Sequence, residues 1–115
     1  MAFSEFEIKK IEKVAELFLS KKRPPPHIRK DLDIGYKIEA QSVEIMEIRP
    51  DWRDNTIIRE YPTAKATYVK KQKSWKVFWQ RADLKWHSYE PVATVESIED
   101  FFDLVEQDTY ACFWG

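Results

Sequence analysis

Between residues 34 and 90 the chain runs through short segments rich in β-branched and aromatic residues, split by only a few polar ones. Connections that short leave no room for crossover helices, so neighbours in sequence should be antiparallel neighbours in a meander. Tyr36, Ile38 and Ala40 alternate with polar residues, and Val43, Ile45, Met46 and Ile48 follow. The change of parity at Ile45 and Met46 predicts a bulge or a strongly twisted strand. Pro50 and Asp51 through Asp54 and Asn55 read as a turn. Further strands are expected over 56–61, 64–70, 75–80 and 84–89, with breaks at 72–74 and 82–83. The only glycines are Gly35 and Gly115. Two-residue turns of the Asn-Gly kind are therefore not expected, and the hairpin loops should be type I based or longer.

Helices flank this stretch. Ser4 and Glu7 form a capping box, and Phe3 can pack on Ile8 as a hydrophobic staple. The stripe Ile8, Ile11, Val14, Ala15 and Phe18 follows at helical spacing until Pro24, Pro25 and Pro26 end it. The basic residues around those prolines suit the negative end of the helix dipole. Ser97 with Asp100 predicts a second capping box, ahead of the stripe Ile98, Phe101, Phe102 and Val105. The tail ACFWG is too apolar to float and should dock. The expected fold is α+β in two layers. An antiparallel meander sheet of about five strands carries the N-terminal and C-terminal helices on one face. A single domain is expected over 1–115, with a helix at about 5–20, strands at about 34–90, a helix at about 98–107 and a docked tail at 110–115.

A chain of 115 residues is long enough to bury a core without disulfides or metal. Its net charge of −1 argues against a general polyanion binder, but the charge is unevenly placed. Residues 64–91 hold seven basic side chains against two acidic ones, whereas 94–110 hold six acidic and no basic. A near-neutral sum can thus hide one basic and one acidic face. The single cysteine, Cys112, suits a reducing compartment. The segment MAFSEFEIKK has no basic region followed by an apolar run, and no apolar stretch nears the roughly 20 residues of a spanning helix. A cytoplasmic location without membrane contact is expected, and no cofactor.

Three strings carry a resemblance: LDIGYKIEAQSVEIMEIRP at 32–50, SWKVFWQRADLKWHSYEP at 74–91 and ACFWG at 111–115. Together they resemble a small bacterial family, the domain of unknown function DUF 3024, over about residues 32–115. The resemblance implies a stand-alone cytosolic bacterial domain, and brings no activity, cofactor or functional residue with it.

The most distinctive chemistry lies in 64–91. Alternation places Trp75, Val77 and Trp79 on one side of a strand, with Leu84 and Trp86 expected on the same apolar side across the turn. The other side would then show Lys76, Phe78, Gln80, Lys85, His87 and Tyr89, joined by Lys65 and Thr67. Basic groups neutralise phosphates and exposed rings stack on unpaired bases, as on sheets that bind RNA. The expected binding set is Lys65, Lys76, Phe78, Arg81, Lys85, His87 and Tyr89, facing single-stranded nucleic acid or another polyanion. The alternative is a protein-interaction or homodimerisation module whose apolar patch includes Phe78 or Trp52. A third reading is a Mg-dependent nuclease built on Asp51, Asp83 and Lys85, from Pro50-Asp51 upstream of Asp83-Leu84-Lys85. A turn-capping Asp is the simpler account of Asp83. His87 as a general base, Cys112 as its nucleophile, and Glu39, Glu44 and Glu47 as a carboxylate cluster are weaker candidates than ordinary structural roles. Glu44 would simply face a lysine of the basic hairpin. An enzyme is less expected than a binding module.

Overall fold

The computed structural model describes residues 3–114. Helix α1 (Glu5–Lys22) starts at a complete capping box: the Ser4 hydroxyl accepts from the Glu7 N–H, and the Glu7 carboxylate accepts from the Ser4 N–H. Phe3 stacks beside Trp75, with ring centroids 5.5 Å apart. Arg23 ends the helix and pairs its guanidinium with Asp33, which opens β1 (Asp33–Glu39). That bond holds the Asp33 carboxyl below its ordinary value.

Strands β2 (Ser42–Pro50), β3 (Ile58–Val69), β4 (Ser74–Gln80) and β5 (Trp86–Ser88) complete the antiparallel order β1-β2-β3-β4-β5. A short 3-10 turn (Glu90–Val92) leads to β6 (Thr94–Val95), which pairs with β4 beyond the stretch held by β5. Helix α2 (Ile98–Gln107) follows. Its expected capping box is half made: the Ser97 hydroxyl accepts from the Asp100 N–H.

The bulge expected at Ile45 and Met46 is where the β2–β3 register shifts. Its consequence is larger than the sequence suggests. The two strands expected at 56–61 and 64–70 join into one, because the bulge absorbs Pro62 and Thr63 and the Thr63 hydroxyl bonds the Ile45 carbonyl. The joined strand outruns its neighbour: β4 pairs with β3 only from Ala64 onward, so residues 58–62 pair with β2 alone. β1 pairs with β2 only as far as Ile48, so residues 49–59 project as a two-stranded arm, and among the described residues no strand pairs with the 58–62 side away from β2.

Both helices pack on one face, termed the inner face. Ile11, Ala15 and Phe18 of α1 and Phe101, Phe102 and Val105 of α2 cover Val43, Ile45, Ala64, Ala66 and Val77. The two alanines on β3 leave room for the helices to approach, and Phe18 meets Phe102 at 5.1 Å. Truncating a buried ring such as Phe101 to Ala would cost about 3–5 kcal/mol. The tail docks as expected: the Asp108 carboxylate accepts from the N–H groups of Phe113 and Trp114, and the Trp114 indole donates to the Val105 carbonyl. Gly115, included in the expected docked tail, lies outside the described residues. Among the described residues no helix is long and apolar enough to cross a membrane.

The loop expectation needs correction. β1 and β2 join through a two-residue turn, Ala40 and Gln41, with Ala40 at φ 52°. Left-handed positions here are filled without glycine, also at Lys73 (φ 50°) and Leu84 (φ 62°).

Candidate functional site

The outer face of the sheet, opposite the helices, carries the lysines. The register places Glu44, Lys65, Phe78 and Ser88 side by side across four strands, with Thr67 beside Lys76 and Gln80 beside Trp86. The Lys65 ammonium sits 5.3 Å from the Phe78 ring centroid and 4.8 Å from that of Trp86. A cation over two ring faces is held by their quadrupoles, and it draws Phe78 and Trp86 into one half-exposed aromatic platform. Lys76 is exposed beside it. Glu44 faces Lys65 across the ladder and pairs at 3.6 Å with Lys37 of β1. Lys70, Lys71 and Lys73 in the β3–β4 loop and Lys85 in the β4–β5 loop flank the face. Near the root of the arm Met46 closes the floor at 2% exposure, between Gly35 and Pro62 in the ladder. Gly35 leaves that space to Ile48: a Cβ there would stand 2.9 Å from the Ile48 Cδ1.

The structure splits the expected binding set. Lys65, Lys76 and Phe78 share the outer face. His87 does not. The β4–β5 connection takes five residues, 81–85, and pairs Gln80 with Trp86 and Trp79 with His87. A shift of one residue moves every side chain to the opposite face. Trp86, expected under the helices, is therefore outside, and His87 is on the inner side with Trp79. Leu84, expected in the apolar layer, stands 77% exposed in the loop. Lys85 belongs to the loop rather than to a strand. Arg81 turns back over Trp79, 5.4 Å from its centroid, also away from the outer face.

Tyr89 is the plainest correction. Expected as an exposed stacking ring, it is fully buried, with its ring 4.7 Å from that of Phe113. The chain leaves β5 after Ser88, and the Tyr89 N–H bonds the Val77 carbonyl as the backbone turns inward. Burial raises the pKa of its phenol.

On the inner side, a groove of about 310 Å³ is lined by Trp79, Arg81, His87, Ser88, Glu90 and Cys112. The His87 Nε2 lies 2.8 Å from Asp83 Oδ2. The Lys85 N–H and then His87, both bonded to the Asp83 carboxylate, hold its pKa below the ordinary value. Cys112 donates weakly to the Tyr110 carbonyl at 3.7 Å, and no hydrogen bond joins it to His87 among the described residues.

The nuclease set does not converge. Asp51 sits in the β2–β3 turn, where its carboxylate accepts from the Arg53 N–H and from the Arg59 guanidinium. Asp83 sits in the β4–β5 loop, occupied by Lys85 and His87. Asp51 is tied to the end of β3 through the Ile57 carbonyl, whereas Asp83 follows β4 in a separate loop, and the two carboxylates share no hydrogen-bond partner among the described residues. Among the described residues no three His, Cys, Asp or Glu side chains gather as a metal would require.

Two features escaped the sequence reading. Trp86 as a partner of Lys65 depended on the length of one loop. The arginines Arg49, Arg53 and Arg59 become a group only once β2 and β3 pair past the body of the sheet. Comparison with known proteins finds no match among curated proteins or solved structures. The model of the family described as "Domain of unknown function (DUF3024)" matches residues 3–115, so the resemblance extends through α1 and the chain belongs to that family.

Proposed function

We propose that the protein is a binding module for single-stranded nucleic acid, engaged through the outer sheet face. The carrying observation is the Lys65 ammonium over the Phe78 and Trp86 rings on a face that neither helix covers. Bases have π faces that stack on such rings, while lysines along the rim follow the phosphates. Lys37, Lys76 and Lys85 surround the platform, and α2, with its acidic residues, packs on the other side of the sheet. A cytoplasmic, bacterial setting accords with this reading, since the lone cysteine needs no oxidising compartment and the resemblance is to a bacterial family.

The test is fluorescence anisotropy of labelled single strands against the protein across a salt series. Saturable binding is expected, with three or four phosphate contacts giving a log–log salt slope of about −2 to −3. Phe78→Ala or Trp86→Ala should each weaken binding by about 1–3 kcal/mol, the usual loss per stacked base. His87→Ala, on the opposite face, should leave it unchanged. Flat curves at low salt, or equal losses from His87→Ala and Trp86→Ala, would refute the assignment.

A further inference from the structure

On the helix side of the sheet, a pocket of about 310 Å³ opens between the first turns of α1, the β3–β4 hairpin and the start of α2. Four aromatic rings from four segments line it: Phe3 ahead of α1, Phe6 in α1, Tyr68 in β3 and Trp75 in β4. Tyr68 and Trp75 are cross-strand partners, with ring centroids 5.1 Å apart, and Phe3 stands 5.5 Å from Trp75 on its other flank. The planes are tilted by 58° and 32°, so the three rings make a bent wall rather than a flat stack. Phe3 and Trp75 are buried, which fixes that wall before any ligand arrives. Phe6 stands at the mouth, 81% exposed, off the stripe that α1 buries.

Rings gathered around one space present their negative faces to it, which attracts a cation and repels an anion. Among the described residues, the cations that stand over rings use Trp114, Tyr61, Trp52, Phe78, Trp86 and Trp79, and none of the four rings here. The charge around the pocket has the matching sign. Glu7 and Glu96 line it; the capping box fixes the Glu7 carboxylate, and Glu96 makes no ion pair among the described residues. Lys10 in the lining and Lys70 near Glu7 oppose them. Both helices begin here, and their positive ends also disfavour a cation, but each first turn offsets its own dipole with two carboxylates, Glu5 and Glu7 in α1, Glu99 and Asp100 in α2. A primary ammonium would leave N–H donors facing rings, whereas an alkylated one keeps its charge and has apolar surface to bury. A cavity of ~150 Å³ accepts benzene, so there is room for such a head group.

We propose that this pocket binds an organic ammonium ion alkylated at nitrogen, with Phe3, Phe6, Tyr68 and Trp75 around the cationic head and Glu96 at the mouth. The site shares no side chain with the outer sheet face and does not depend on the function proposed for that face.

Proton–nitrogen NMR titration of the full chain tests this, with choline chloride as the probe and sodium chloride as the salt control. The comparison ligand is the neutral alcohol of the same shape, in which a quaternary carbon replaces the choline nitrogen. Choline should give saturable shifts at the Trp75 indole and at the amides of Phe6, Tyr68 and Ser97, at about millimolar concentration, the range open to so small a probe. The alcohol should bind more weakly. Phe6→Ala should weaken choline by about two- to fivefold, the worth of one exposed cation–ring contact. Glu96→Gln should weaken it and Lys10→Gln should tighten it, each by up to about fivefold, while neither moves the alcohol. All three side chains are exposed, and thermal melts check that the variants fold. The absence of saturable shifts with choline would overturn the proposal. So would equal affinity for the alcohol, indifference to both charge changes, or shifts centred on Phe78 and Trp86.

Discussion

Tyr89 carries a hydroxyl into a core that offers it no hydrogen bond among the described residues. A buried hydroxyl left unpaired typically costs about 1–3 kcal/mol, whereas the ring itself is wanted for its contact with Phe113. Tyr89→Phe keeps the ring and removes the orphan. It should leave stability unchanged or raise it by about 1 kcal/mol, read from the urea midpoint at constant m-value. A clear loss would mean that the hydroxyl has a partner. This residue also shows what a pattern can hide. Tyr89 keeps strict alternation with His87, and alternation alone cannot say which side is wet. The parity of the whole hairpin hung on whether the β4–β5 loop took two residues or five. The five-residue loop holds Leu84 in a left-handed conformation that its side chain disfavours, and composition gave no warning of it.

Among the elements, the helices were the most legible from sequence, and the physical reason is local. Caps, stripes and breakers such as Ser4, Glu7, Ser97 and Pro24 act within a few residues of themselves, and the ends of α1 and α2 fall within two residues of expectation. Strands take their meaning from partners far along the chain. Pro62 reads as a strand break until the bulge beside Ile45 accommodates it. The arm is the element most open to test by pH. The Arg53 N–H and then Arg59, bonded to Asp51, hold its carboxyl below the ordinary range. A carboxyl whose pKa is lower folded than unfolded stabilises the fold above its unfolded value, near ~3.9, and that contribution fades as pH falls through the folded value. Asp51→Asn has no such charge to lose. The wild type should therefore be the more stable of the two at neutral pH, and its advantage should shrink on acidification below about pH 4. Urea midpoints of both proteins from neutral to acid pH decide it; a gap independent of pH would show that the clamp is not ionic.

Across the whole molecule, 44 Å in its longest dimension, two surfaces of different chemistry sit apart. Lysines and half-exposed rings occupy the outer sheet face; arginines and an open indole occupy the arm. These two surfaces share no side chain. Trp52→Ala should thus leave the affinity for an oligonucleotide short enough to cover one sheet face unchanged, within the error of the anisotropy titration. A matching loss of affinity would merge the two surfaces into one. Layering and strand succession were legible in the sequence because each follows from hydrophobic pattern and short connections. The separation of the two surfaces was not, since it required knowing that β3 outruns β4. That overrun leaves the flank of residues 58–62 as a bare template on which another chain could grow a strand. Two copies meeting there about a two-fold axis would set Glu60 against Glu60, or one register over, Arg59 against Arg59. Pro62 has no N–H to offer the new ladder. In those two registers like charges would meet across the ladder, which disfavours self-pairing of the flank there.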